Sequence, residues 1–333
     1  MELNALLAHP VALPSLPRAV ALLMTELAHD EPSLRRVAQL IGTDPALAAR
    51  LLELANTPAF QMQRQIAGIP EALALLGVVQ LRSLVSSAPL GTTSRSVPGV
   101  NLQQFWRYSL NTAKLARSLA GLVHHNQIAA YTAGLLHAVG ELLLHLADPE
   151  TVLSINTLVS PLDLRRAKIE QRILGYCYGN VSAGLAQRWQ FPDVVVEALQ
   201  HQSAPLDNNV YEPLAGVIHL ASWRARAREA DLGEKEMAVS FPGEVGLMLG
   251  LDIDMVLQQD PIDWTARPEA SDYVVWETEC RLATTRPVGA VSRQRWDEKC
   301  SQHVAANRFH GRHAARARIA RRFGRIALRQ WPP

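Results

Sequence analysis

VAQLIGTDPALAARLLELANTPAF, residues 37–60, decides the fold. Gly42 closes one helix. Asp44 offers a side-chain acceptor at the start of the next, and Pro45 follows where the missing N–H costs nothing. Leu47, Leu51, Leu52 and Ala55 then repeat at helical spacing, until Pro58 pushes the residue before it out of the α region. A helix of about three turns with a cap and a stop is written into these 24 residues.

Working outward, the same grammar recurs. Upstream, Val20, Leu23, Met24 and Leu27 form one apolar stripe. Ser33 caps a segment whose apolar face is Leu34, Val37, Ala38 and Ile41. Downstream, Pro70 opens a helix that Gly77 ends, and Leu81, Leu84 and Val85 continue in another. GTTSRSVPG, residues 91–99, reads as a loop. Asn101 caps a long helix that turns Leu102, Phe105, Trp106, Ala113, Ala116 and Ala120 inward. Further helices are expected over 127–147, 150–158, 162–174, 180–190, 192–201 and 211–230. Strand alternation is absent before residue 264, so the expected class is all-α, a compact multi-helix bundle. DYVVWETECRL, residues 272–282, could form a short strand.

Composition sets the outer bounds. Hydrophobic residues make up 48% of the 333 and charged residues 19%, which suits a globular chain. The most apolar segment, residues 133–147, is interrupted by His137, Glu141 and His145 and falls short of the roughly 18 residues a bilayer demands. No transmembrane segment is expected. The first residues lack a basic start and a small-residue cleavage site, so a cytoplasmic location is expected. Cys177, Cys280 and Cys300 show no paired spacing, which argues against a disulfide framework or a structural zinc site. Cys177 has no cationic neighbour in sequence to make it a thiolate nucleophile. Phosphate-loop, GxGxxG, GxSxG and HExxH motifs are missing.

The ordered segments resemble the HDOD family, the HD-related output domain of bacterial signalling proteins. LPSLPRAVALLMTEL, the stretch quoted first, IPEALALLGVVQLRSLV, FWRYSLNTAKLARSLA, AGLLHAVGELLL, LAQRWQFPDVVVEALQHQ, LAGVIHLAS and LGLDIDMVL follow in family order. The resemblance implies an HDOD-like domain over residues 13–262, after an N-terminal extension at 1–12. Within it are expected a helical subdomain at 13–90, an HD-like subdomain at 100–230 and closing helices at 240–260. It also implies a regulatory protein that acts by binding a signalling partner: a sensor kinase, a response regulator or a cyclic-dinucleotide enzyme.

Catalysis in the HD superfamily needs a His, a His–Asp doublet and a distant Asp around a metal that generates hydroxide. The resemblance places these at Tyr108, at His137 followed by Ala138, and at Ser222, with an ancillary histidine near Tyr178. One imidazole remains of four ligands. The expectation is therefore no metal, no cofactor and no enzyme activity. His137, Glu141 and His219 mark a possible ligand or partner groove between the two subdomains. Glu141, one turn after His137, could bond its imidazole. His124, His125 and His201 read as surface residues. The alternative readings are a residual metal-dependent phosphohydrolase and a nucleic-acid-binding regulator.

That last alternative rests on charge. Residues 1–264 hold 19 basic and 25 acidic side chains, net −6; residues 265–333 hold 14 and 6, net +8. In the basic C-terminal tail, 263–333, Arg316, Arg318, Arg321, Arg322 and Arg325 surround a stripe of Ala315, Ile319, Phe323 and Ile326. Such a face suits nucleic-acid phosphate or an anionic membrane, or it is a poorly ordered extension.

Overall fold

A computed structural model describes residues 1–264 apart from 10–11, 61–62, 91–96, 208–211 and 262–263. Contacts divide the chain after residue 265. The stretch 272–282 and the tail arginines Arg316, Arg318, Arg321, Arg322 and Arg325 lie outside the described residues.

Among the described residues the regular elements are helices, with one isolated parallel bridge between Ser15 and Leu90. The first group is α1 (Leu3–Ala8), α2 (Pro17–Leu27), α3 (Leu34–Ile41), α4 (Pro45–Ala55), α5 (Ile69–Leu75) and α6 (Val78–Ser86). The second is α7 (Leu102–Leu122), α8 (Gln127–Leu136), α9 (Val139–Ala147), α10 (Pro149–Leu158), α11 (Arg166–Leu174), α12 (Tyr178–Arg188), α13 (Asp193–His201) and α14 (Pro213–Glu229). Three short helices close the unit: α15 (Glu234–Ser240), α16 (Gly243–Leu249) and α17 (Ile253–Gln258).

Asp44 does what its sequence position promised, and more. Its carboxylate caps α4 through the Leu47 N–H at 2.9 Å and also accepts from the Leu16 N–H ahead of α2. One buried side chain thus fixes two helix entries. Asn56 clamps the loop beyond α4, donating to the Ile66 carbonyl at 3.0 Å and accepting from its N–H at 2.7 Å. Residues 1–9 are anchored: α1 packs on α9 and α12, Leu6 is fully buried, and Tyr176 donates to the Met1 carbonyl at 3.0 Å.

α7 runs through the second group against α8 and α14. Arg107 and Glu229 join α7 to α14 by two parallel bonds, at 2.8 and 2.6 Å. α14 is buried on every side, from Leu214 to Ala227, as expected of a central helix.

Three sequence expectations change. Residues 127–147 are long and apolar enough together to cross a bilayer, but 89% of that window is buried in the protein, and the helix breaks at His137–Ala138. The helix expected from residue 162 begins at Arg166, because the Asp163 carboxylate takes the Arg165 N–H at 2.8 Å and holds a turn there. Met24 and Leu34, placed by periodicity on apolar faces, are 43% and 46% exposed.

Candidate functional site

The break between α8 and α9 organises the site. A helix that stops leaves carbonyls without partners. Here the His137 carbonyl accepts from Ser182 Oγ at 3.0 Å and Gln202 Nε2 at 2.9 Å. Ser182 Oγ in turn accepts the Gly140 N–H, at 2.9 Å. Gly140 lets α9 lie directly on α12: a Cβ there would sit 2.2 Å from the Tyr178 carbonyl oxygen. The His137 imidazole meets the Gly134 carbonyl at 2.7 Å through Nδ1, so Nδ1 carries the proton and Nε2 the lone pair. That Nε2 is buried and has no hydrogen-bond partner among the described residues. Burial, with the Arg226 cation adding to it, pushes the His137 pKa down to about 3, so the ring is neutral.

Against His137 stands Tyr108, ring centroids 4.8 Å apart and edge to face. Above them a cavity of about 220 Å³ opens between the start of α7, the break, the 160–162 turn and α14. Tyr108, Ala138, Glu141, Tyr178 and Arg226 line it. Arg226 reaches in from α14 and is 6% exposed. Its Nη2 donates to the Tyr178 hydroxyl at 2.8 Å, and its guanidinium lies 5.6 Å from the Tyr108 ring centre and 5.5 Å from that of Tyr178. Two aromatic faces thus hold the cation. Its Nε has no hydrogen-bond partner, and no carboxylate comes within ion-pair distance among the described residues.

The floor is a second buried charge cluster. Arg166 is fully buried on α11. It donates to Glu170 at 2.6 Å, to Asn156 Oδ1 at 2.7 Å and to the Val159 carbonyl at 3.0 Å, and pairs with Glu141 at 2.7 Å. Glu170 also accepts the Tyr178 N–H at 2.7 Å. Burial pushes both carboxyls above the ordinary range, and Glu141 pushes Glu170 further, so the pair titrates as a unit. His145 sits 3.2 Å from Glu141 and donates through Nδ1 to the Pro98 carbonyl at 2.6 Å; burial lowers its pKa to about 4.

The positions expected from sequence separate into two sets. Tyr108, Ala138, Tyr178 and Glu141 converge on the cavity, with His137 beneath Tyr108. Ser222 and His219 do not line it. Ser222 Oγ donates to the His219 carbonyl at 3.0 Å, and His219 Nδ1 faces the Gln202 carbonyl at 2.7 Å, bracing the break from behind. The cavity that Glu141 lines is built from residues of the segment 99–226 alone, from just before α7 to α14, and so does not lie between the two expected subdomains. Glu141 was placed to bond His137; it bonds His145 and Arg166 instead, because the break at Ala138 rotates α9 away from α8's register. Cys177 is buried, and that burial raises its thiol pKa.

A divalent metal does not fit this donor set. His137 presents a lone pair in the right tautomer. Ala138 offers nothing, burial pushes the Tyr108 phenol upward so that it keeps its proton, and a guanidinium lines the space. Among the described residues no three His, Cys, Asp or Glu side chains are grouped to share an ion.

Sequence reasoning missed Arg226, Arg166 and Glu170. The Arg166–Glu170 spacing of four was legible as a helical pair. Arg226 carried one signal: it falls one turn after Ser222, on the same helical face.

The HDOD domain profile matches residues 13–205. Similar structures include the MmoQ response regulator of Methylococcus capsulatus, 25% identical with a TM-score of 0.59 over 74% of this chain and 97% of that one. A virulence factor of Campylobacter jejuni shares the fold at 22% identity and a TM-score of 0.56, over 78% and 94% of the two chains. An uncharacterized protein of Treponema pallidum is 26% identical over 217 residues, 64% of this chain; the chain spans only 42% of that relative's length.

Proposed function

Since the chain belongs to the HDOD domain family, we propose that it is a non-enzymatic, cytoplasmic signal-transduction module that works by binding. The supporting observation is Arg226. Where the resemblance to HD phosphohydrolases would put a metal and its hydroxide, this chain holds a buried guanidinium between Tyr108 and Tyr178. A fixed cation opposes a divalent ion by like-charge repulsion in a low-dielectric site. Without that ion, nothing in the site matches the pull on a bound water that brings its pKa near neutrality and makes hydroxide. His137, neutral and hydrogen-bonded through Nδ1, is left as a packed side chain.

Its partner on this reading is a signalling protein: a sensor kinase, a response regulator or a cyclic-dinucleotide enzyme. A similar structure bears the name of a response regulator, which supports that class. The test is metal content and hydrolysis measured together. Purified full-length protein, supplied with manganese or magnesium, is assayed against cyclic dinucleotides, nucleotides and simple phosphate esters. Turnover no faster than buffer and metal well below one ion per chain are expected. Stoichiometric metal with turnover above buffer would overturn the proposal.

A further inference from the structure

The Arg226 cavity has features that a structural cation alone does not need. A guanidinium has five N–H donors, and this one has no carboxylate within ion-pair distance among the described residues, so its charge is met only at longer range by Glu141 and by the two tyrosine rings. Arg226 gives one N–H to Tyr178, while its Nε has no partner. The Tyr108 hydroxyl, fully buried, also makes no well-formed hydrogen bond. The Tyr178 hydroxyl accepts from Arg226, so its own proton is free to donate. Two phenol hydroxyls and a guanidinium therefore converge on one space with protons left to give, beside one acceptor without a partner, Glu141 Oε2.

We propose that this cavity binds a phosphoryl oxyanion through Arg226, Tyr108 and Tyr178. This rests on the reading above that the site is not a metal centre. A phosphoryl group supplies three terminal oxygens for these donors, where a carboxylate supplies two. The space, about 220 Å³, is below the roughly 300 Å³ at which drug-sized pockets begin, so it takes a phosphate with a small organic body. Phe105, Val100 and Leu162 give the lining an apolar part against which such a body would pack. Glu141 faces the same space; its Oε1 is paired with Arg166 at 2.7 Å, which offsets the repulsion it presents to the anion.

Isothermal titration of the full-length chain tests this with three probes: inorganic phosphate, a nucleoside 5′-monophosphate and acetate. Saturable binding of a phosphate probe at or below about 1 mM is expected, with acetate bound at least about tenfold more weakly. Tighter binding of the monophosphate assigns an ester; equal binding assigns free phosphate. Tyr108→Phe and Tyr178→Phe each remove one hydroxyl and keep the ring, and each weakens binding roughly threefold or more. Arg226→Lys, checked for folding by circular dichroism, weakens it about tenfold by losing the fork. The basic tail is present in every variant, so these losses belong to the cavity. No saturable phosphate binding up to about 10 mM, or affinity unchanged in both tyrosine variants, overturns the proposal. Those outcomes leave the absence of turnover standing; turnover with bound metal fails the earlier reading instead.

Discussion

Replacing Arg166 by Met tests whether the buried charge cluster holds the cavity floor. The guanidinium is fully enclosed and serves Glu170, Glu141, Asn156 and the Val159 carbonyl at 2.6 to 3.0 Å. Removing one partner of a buried ion pair costs about 3–5 kcal/mol. The two neutral acceptors left behind add about 1 kcal/mol or more each. Protonation of the two carboxyls and apolar packing by Met return part of this, for a net loss of about 4 kcal/mol at neutral pH. A chain of this size loses stability at roughly 3 kcal/mol per molar urea, so the midpoint of unfolding, followed by circular dichroism, falls by roughly 1–1.5 M.

The pH dependence of Arg166→Met carries the reasoning. Without the cation, the folded-state pKa of the Glu141–Glu170 pair rises further above its unfolded value. Stability tied to a raised pKa is complete below the unfolded value and is lost as pH climbs through the folded one. The difference between Arg166→Met and the parent therefore shrinks from about pH 8 to about pH 5. Adding Glu141→Gln and Glu170→Gln to Arg166→Met recovers most of the loss near neutrality. A midpoint drop below about 0.3 M, or one equal at the two pH values, would show that the cluster does not hold this charge as described.

Two further outcomes are expected. Gly140→Ala puts a methyl 2.2 Å from the Tyr178 carbonyl oxygen and 2.7 Å from the Ser182 nitrogen, both backbone atoms that cannot swing aside. It should destabilise by about 3 kcal/mol in urea titrations and perturb the cavity, whereas the same change at the open Gly250 acts only through its positive φ and costs about 1 kcal/mol. His137 is held neutral, its pKa at about 3 against an unfolded value of about 6.5. The unfolded chain binds the extra proton between those values, so this contribution is full above about pH 6.5 and disappears progressively toward about pH 3. His137→Asn should flatten that slope in acid-unfolding curves; a slope unchanged by the substitution would place the acid sensitivity elsewhere.

Much of the fold was legible because it is local. Asp44–Pro45, Ser33 and Asn101 are caps that the structure forms: Asp44 on Leu47, Ser33 on Arg36 and Asn101 on Gln104. The convergence of Tyr108, Ala138 and Tyr178 was legible through resemblance, which carries three-dimensional information that spacing lacks.

Periodicity could not reveal the break at His137–Ala138, since the apolar pattern runs on through it. The break exists because Ser182 and Gln202, from distant segments, satisfy the groups it frees. Once α9 turned there, Glu141 swung from His137 to Arg166 and His145. Arg226 makes the same point. In sequence it is one arginine among several on a helix, indistinguishable from Arg228 two residues on. Only the packing of α7 and α12 around α14 enclosed it between two tyrosines, with no carboxylate within ion-pair distance among the described residues. The sequence by itself determined the helices, their order and the loss of the metal-binding residue types, because caps, stops and residue chemistry act at short range. Tertiary structure alone decided where the charge in the cavity sits, because burial and pairing belong to the assembled environment and not to any residue.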